Sequence, residues 1–357
     1  MKTIPFFCLA ILIGSISCTS DPAPLEPERE ETQIYFPDTD SDVWETTTLD
    51  HLGWHQDQLQ PLLDYLREKH TKSFIVLYNG KIVIESYMNG HNATLPWYWA
   101  SAGKTLTSTV TGIAQDHGLI DINNKVSDYL GTGWTSEPLD KENLILCKNL
   151  LSMDSGLSDR NGDDVSPDNL VYIADAGDRW AYHNVYVKLQ DVVAQAGNQS
   201  WSVYFNTNLR DPIGMTGSWI SLDNLSVYWS TARSMARFGL LVYAKGKWGN
   251  TQIVSEAFLS GATNTSQDIN KAYGFLWWLN GKSSYHLPAT QIEFSGELIP
   301  NAPDDLFAAL GKNDQKIYVV PSKKLVIIRM GDSAEGTNFA LSDFDYELWA
   351  KINAVID

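Results

Sequence analysis

Ser101 and Lys104 stand three residues apart in residues 99–108, WASAGKTLTS, where the sequence predicts the start of a helix. Helix positions i and i+3 share a face, so the lysine amine can reach the serine hydroxyl. A serine hydroxyl is a weak nucleophile until a base takes its proton, and a desolvated lysine can be that base. Free N–H groups at a helix start also favour a developing anion, by about 0.3–1 kcal/mol at exposed sites. The same residues read equally as an ordinary helix start, with Ser101 as a cap and Lys104 in solvent. Spacing alone does not choose between these readings.

Other chemistry-bearing stretches are weaker. HLGWH (51–55) sets two histidines four apart, but no glutamate base or third ligand stands beside them. DRNGDD (159–164) lacks the closing glutamate of a calcium loop and reads as a solvated turn. No Walker loop or dinucleotide fingerprint is present. The expectation is therefore no metal and no organic cofactor.

The elements that must position Ser101 and Lys104 follow from periodicity. SFIVLYNGKIVIESYM (73–88) places two β-branched runs around Asn79-Gly80, a strong hairpin signal. Residues 101–117 predict a helix with Leu106, Val110, Ile113 and Ala114 on one face and Gly118 as its stop. From about 120 to 270 the patterns are mostly helical, as in 185–197 and 230–246. Two strands return at 315–331, and an amphipathic helix closes the chain with Leu341, Phe344, Leu348, Ile352 and Val355 on one stripe. This order predicts an α+β fold. An antiparallel sheet flanked by helices comes from about 44–100 and 271–357, with a mainly helical second lobe over about 105–270. The cleft between lobes is the expected place for a site.

Composition bounds the partners. A 43% hydrophobic and 19% charged chain of 357 residues predicts a packed core. A formal charge of −17 argues against nucleic acid and against docking on anionic lipid. Thirteen Trp and sixteen Tyr admit two readings, core filling or an aromatic cleft. Residues 1–18, MKTIPFFCLAILIGSISC, form an apolar run too short to span a membrane, and they resemble a secretion signal. Small residues before Cys18 resemble a bacterial lipobox, with Ser15 where Leu is usual. Cleavage there would leave Cys18 as a lipid anchor, followed by a flexible acidic tether over 19–43. The alternative is a plain cleaved signal. Either way the chain is expected to be exported, to the periplasm or cell envelope. Past Cys18 only Cys147 remains, so no disulfide is expected in the mature chain.

Further along, RWAYHN (179–184) precedes a helical pattern. A Tyr-x-Asn there, after an upstream Ser-x-x-Lys, resembles class C beta-lactamases and their related esterases and peptidases. NLLSMDSGLSD (149–159), RDPIGMTGSWI (210–220), STARSMARFGLLVYAKGKW (230–248) and YGFLWWL (273–279) resemble later landmarks of that family, in family order. The resemblance runs from about residue 50 to the C-terminus.

What the resemblance implies is a beta-lactamase/transpeptidase-like serine hydrolase over 44–357. Ser101 would be the acylated nucleophile, and Lys104 and Tyr182 would share its proton. Asn184 would hold Lys104 and touch substrate, while His183 points elsewhere. The chain departs from the pattern at Lys-Thr-Gly, which is missing. FAALGKNDQKIYVV (307–320) instead resembles the A-x-G-x-G-G-Q segment of the esterase-like branch, with Asn313 and Asp314 where glycines are common. A backbone N–H near Ala309 would join that of Ser101 in an oxyanion hole. The expected activity is hydrolysis of a small-molecule ester or amide. The alternatives are a class C-like beta-lactamase or D-amino-acid peptidase, and a non-catalytic binding protein on the same fold.

Overall fold

The computed structural model describes Met1 and residues 33–222, 225–336 and 343–357. The signal, the lipobox at Cys18, most of the tether and Leu341 lie outside the described residues.

Strands β1 (Thr71–Tyr78) and β2 (Lys81–Tyr87) form the expected hairpin. Asn79 and Gly80 at its tip have φ of 47° and 90°, the two positive values a tight turn of the hairpin's own twist requires. Next come β3 (Trp97–Tyr98), β4 (Ser218–Leu222), β5 (Leu225–Ser230), β6 (Trp278–Leu279), β7 (Phe307–Gly311), β8 (Gln315–Val320) and β9 (Leu325–Gly331). The main sheet runs β2-β1-β9-β8-β7-β6, antiparallel throughout. Both ends of the chain therefore build one sheet, as the element order predicts. A small second sheet, β3-β5-β4, ties the segment before Ser101 to a hairpin from mid-chain.

Helix α1 (Gln56–Glu68) and the closing helix α5 (Asp343–Ile356) pack together, with Tyr65 and Phe344 stacked 5.8 Å apart. Helix α2 (Lys104–Asp116) is buried on every side from Lys104 to Ala114, and α3 (Val187–Ala196) packs against it. Its apolar stripe is the expected one, but Thr105, Thr107, Thr109 and Thr111 are buried too. Thr109 and Thr111 donate to the carbonyls of Thr105 and Thr107, at 3.0 and 2.8 Å, which removes the cost of burying their hydroxyls. Polar residues that satisfy themselves in this way carry no periodicity signal.

Two expectations need correction. The 230–246 pattern, assigned to a helical lobe, is α4 (Ala232–Tyr243), and it lies on the sheet. A Cβ on its Gly239 would fall 2.5 Å from Val326 Cγ1 and 3.2 Å from Ile317 Cγ2, so glycine permits this close approach. The stretch assigned to the helical lobe also contains the β4–β5 hairpin. Ile34–Asp357 form one compact unit. Residues 34–43, expected within the tether, are part of it. The Tyr35 N–H donates to the Asn79 carbonyl at 3.1 Å, and Arg237 Nη2 donates to the carbonyls of Asp38 and Ser41 at 2.8 and 3.0 Å. Ile34, Tyr35 and Phe36 supply the apolar contacts that a composition reading of this acidic stretch overlooks.

Candidate active site

The segment that delivers Ser101 is anchored by Trp99. Its indole is fully buried, donates to Ser230 Oγ at 2.8 Å, and meets Tyr228 edge-on at 5.4 Å. Ala100 follows with φ of 47°, a left-handed conformation that costs a non-glycine residue about 1–2 kcal/mol. Residues Ala100–Gly103 form a 3₁₀ turn that leads directly into α2. In a 3₁₀ turn, side chains at i and i+3 eclipse. Lys104 Nζ accordingly lies 2.9 Å from Ser101 Oγ.

Tyr182 and Asn184 come from the opposite side of the site. His183 between them is extended, with φ of −150° and ψ of −174°. Alternate residues of extended backbone share a face, so Tyr182 and Asn184 turn toward Lys104 while His183 turns away. His183 Nε2 lies 3.5 Å from Ser155 Oγ, and burial lowers its pKa to about 4, leaving a neutral imidazole. Asn184 Oδ1 accepts from Lys104 Nζ at 3.3 Å. The Tyr182 hydroxyl faces Ser101, whose side chain opposes the rise in the phenol's pKa. Lys104 Nζ stands over the rings of Tyr182 and Tyr186, at 4.9 and 4.6 Å from their centroids. The structure thus brings together Ser101, Lys104, Tyr182 and Asn184.

Electrostatics separates the two candidate bases. Lys104 is 4% exposed, and burial lowers its pKa to about 7, opposed by the Asp163 carboxylate. Burial pushes the Tyr182 phenol up to about 12, and the Ser101 side chain offsets this only in part. Near neutral pH, the amine can be unprotonated while the phenol keeps its proton. A neutral amine accepts the Ser101 proton through the same 2.9 Å contact.

Of the two roles composition leaves open, core filling is the one these aromatic residues take. Trp99, Trp180, Trp277 and Trp349 are fully buried. Trp180, Tyr273 and Trp278 also surround Tyr182, with ring centroids 5.7–6.3 Å away. This desolvating wall is one cause of the raised phenol.

Two contributors escape sequence reasoning. The loop at 159–164, expected as a solvated turn, carries Asp163, whose Oδ1 accepts from Asn184 Nδ2 at 2.6 Å. The same loop pairs Asp159 with Arg179 at 2.7 Å. No local pattern links Asp163 to Asn184; the contact exists only because two distant loops meet. The second contributor is Gly311, at the end of β7. A Cβ there would fall 2.5 Å from the Trp99 carbonyl oxygen and 3.0 Å from the Ala102 amide nitrogen. The backbone of β7 therefore lies directly against the Ser101 turn. Ala309, on the same strand, is buried and faces Ile317 of β8 in register. Lys312, just after Gly311, is exposed. Among the described residues, no group of three or more His, Cys, Asp or Glu side chains is arranged to hold a metal.

Comparison with known proteins gives the family and the fold. The Beta-lactamase family model matches residues 66–348. The fold is similar to a putative beta-lactamase from Bacteroides dorei, at TM-score 0.66 and 17% identity, covering 85% of this chain and 99% of that one. It is similar to a putative 6-aminohexanoate-dimer hydrolase from Bacillus anthracis, at TM-score 0.67 and 18% identity, covering 87% of each chain. EstCE1, described as a hydrolase with promiscuous acyltransferase activity, matches at TM-score 0.61 and 11% identity, over 87% of this chain and 99% of that one. No curated protein matches the chain in sequence. With the family model spanning most of a chain that has the antiparallel sheet and helices of the beta-lactamase/transpeptidase-like fold, this protein belongs to the beta-lactamase family of serine hydrolases.

Proposed function

We propose that this protein is an esterase or amidase that acts on small acyl substrates through an acyl-enzyme on Ser101. One observation carries the reading: Ser101 Oγ lies 2.9 Å from the Nζ of a desolvated lysine that also stands over the Tyr182 ring. Neutral Lys104 takes the Ser101 proton as Oγ attacks the substrate carbonyl. The tetrahedral oxyanion is stabilised by the Ser101 N–H and by a backbone N–H on the β7 edge, near Ala309 and Gly311. As the carbonyl re-forms, the bond to the leaving alcohol or amine breaks. Tyr182 gives its proton to that group and is reprotonated from Lys104. Water, deprotonated by the same pair, then attacks the acyl carbon and releases the acid, returning the proton to Ser101. Asn184 holds Lys104 in place, and Asp163 holds Asn184. The similar structures include a putative 6-aminohexanoate-dimer hydrolase and a hydrolase with promiscuous acyltransferase activity, which suits an acyl-transfer site without selecting the substrate.

The pH profile follows from Lys104. Its pKa is lowered to about 7, so the basic form grows as pH rises through that value. We expect kcat/KM for a neutral ester to rise about tenfold per pH unit below 7 and to level off above it. A profile flat from pH 5 to 9 would remove Lys104 from the role of base.

Substrate class turns on the missing Lys-Thr-Gly. A cation-assisted hydrogen bond to a substrate carboxylate is worth about 1.5–3 kcal/mol, or about ten- to hundredfold. Penicillins, cephalosporins and D-Ala-terminated peptides present that carboxylate, whereas short-chain esters do not. The net charge of −17 further disfavours anions at low salt. A panel of nitrophenyl esters, nitrocefin and D-Ala-D-Ala peptides should give the neutral ester a kcat/KM at least about tenfold higher. Nitrocefin hydrolysis that equals or exceeds ester hydrolysis would instead favour a beta-lactamase, with Lys312 or Arg160 supplying the cation.

A further inference from the structure

The turn that joins β7 to β8 holds two consecutive non-glycine residues, Asn313 and Asp314, both at φ of 60°. Their carbonyls are fixed from beneath by buried Arg329, whose Nη1 donates to them at 2.8 and 3.0 Å. Gln315 Nε2 adds a bond to the Asn313 carbonyl at 2.9 Å. These are main-chain contacts, and any residue at 313 would receive them. Glycine would also adopt the left-handed backbone with less strain. What the asparagine side chain adds is a bond to the segment that leads into Ser101: Asn313 Nδ2 donates to the Tyr98 hydroxyl at 2.6 Å.

Both partners are one short step from the reaction. Tyr98 is three residues before Ser101 and immediately precedes the Trp99 anchor. Asn313 is two residues after Gly311, whose backbone lies against Trp99 and Ala102. Tyr98 is itself held in place, paired in register with Trp229 and packed on that ring at 5.5 Å. The bond therefore joins the strand that delivers the nucleophile to the turn between β7 and β8.

We propose that Asn313 and Tyr98 form a positioning clamp that fixes the β7–β8 turn relative to Ser101, and so sets how well the backbone N–H groups of that edge meet the oxyanion. The catalytic half of this inference rests on the function proposed above. An oxyanion forms only as the reaction proceeds, so loosening the clamp acts on kcat rather than on substrate binding.

The test uses the full-length protein with Asn313→Gly, Tyr98→Phe and the double variant. Asn313→Gly keeps the left-handed turn and removes only the amide; Tyr98→Phe removes one oxygen from a packed ring. Each single variant should lower kcat for a nitrophenyl ester about tenfold, with KM within about twofold, because small misplacements of reacting groups are costly. The double variant should be no slower than about twofold below either single one, because both remove the same bond. Hydrogen exchange across residues 307–316 should speed up about tenfold in all three variants. Tm should fall by less than about 5 °C. Wild-type kcat in both single variants, multiplicative losses, a rise in KM with kcat retained, or unchanged exchange across 307–316 would each overturn the clamp. If the wild-type protein neither turns over the ester nor takes a fluorophosphonate label, the hydrolase reading falls and the catalytic half falls with it. The exchange measurement still decides whether the clamp holds the turn.

Discussion

Ser101→Ala is expected to bring ester hydrolysis down to background and abolish fluorophosphonate labelling, while the protein stays folded. Removing a serine nucleophile from a set of residues that act as a unit costs on the order of 10⁶-fold in turnover. The fold should tolerate the change because Ser101 is only partly buried and the substitution deletes a single oxygen. The Trp99 anchor, the Ala100 conformation and the contact between Lys104 and Asn184 do not depend on that oxygen. Steady-state kinetics, labelling and a thermal melt on the same preparation separate loss of chemistry from loss of structure. An alanine variant that keeps wild-type turnover would disprove the assignment.

Lys104→Ala and Tyr182→Phe should each lower kcat by about 10³-fold or more, with the double variant close to the worse of the two, because they act on one proton. Two features of the structure make the coupling strong. Lys104 Nζ lies 2.9 Å from the Ser101 oxygen, and it stands 4.9 Å from the Tyr182 ring centroid. Tyr182→Phe leaves the ring among Trp180, Tyr273 and Trp278, so packing is unchanged. The pH profile of this variant should keep its inflection near 7, since Lys104 remains. The profile of Lys104→Ala should lose it. Multiplicative losses, or an inflection that follows Tyr182, would show that the two side chains do not form one relay.

What depends on short-range geometry is legible in the residues alone. Ser101 and Lys104 meet because i and i+3 eclipse in one turn, and Tyr182 and Asn184 face the same way because an extended residue separates them. The Asn79-Gly80 hairpin and the strands at 315–331 follow equally from local residue preference. The antiparallel sheet built from both chain ends was legible from element order. Tertiary structure decided what depends on distant groups arriving together. Lys104 is charged in the unfolded chain at neutral pH, and only burial within a fully enclosed helix lowers its pKa to about 7. Asp163 looks like one acid in a solvated turn until its loop meets Asn184. Residues 34–43 look like a tether until Arg237 collects their carbonyls. α4 reads as part of a helical lobe until Gly239 lets it settle onto β8 and β9. Asn313 and Asp314 look like losses of glycine until Arg329 and Tyr98 are seen to hold them. In each case the deciding energy, whether desolvation, a hydrogen bond between remote segments or a close approach, comes from residues far apart in sequence, so no local window contains it.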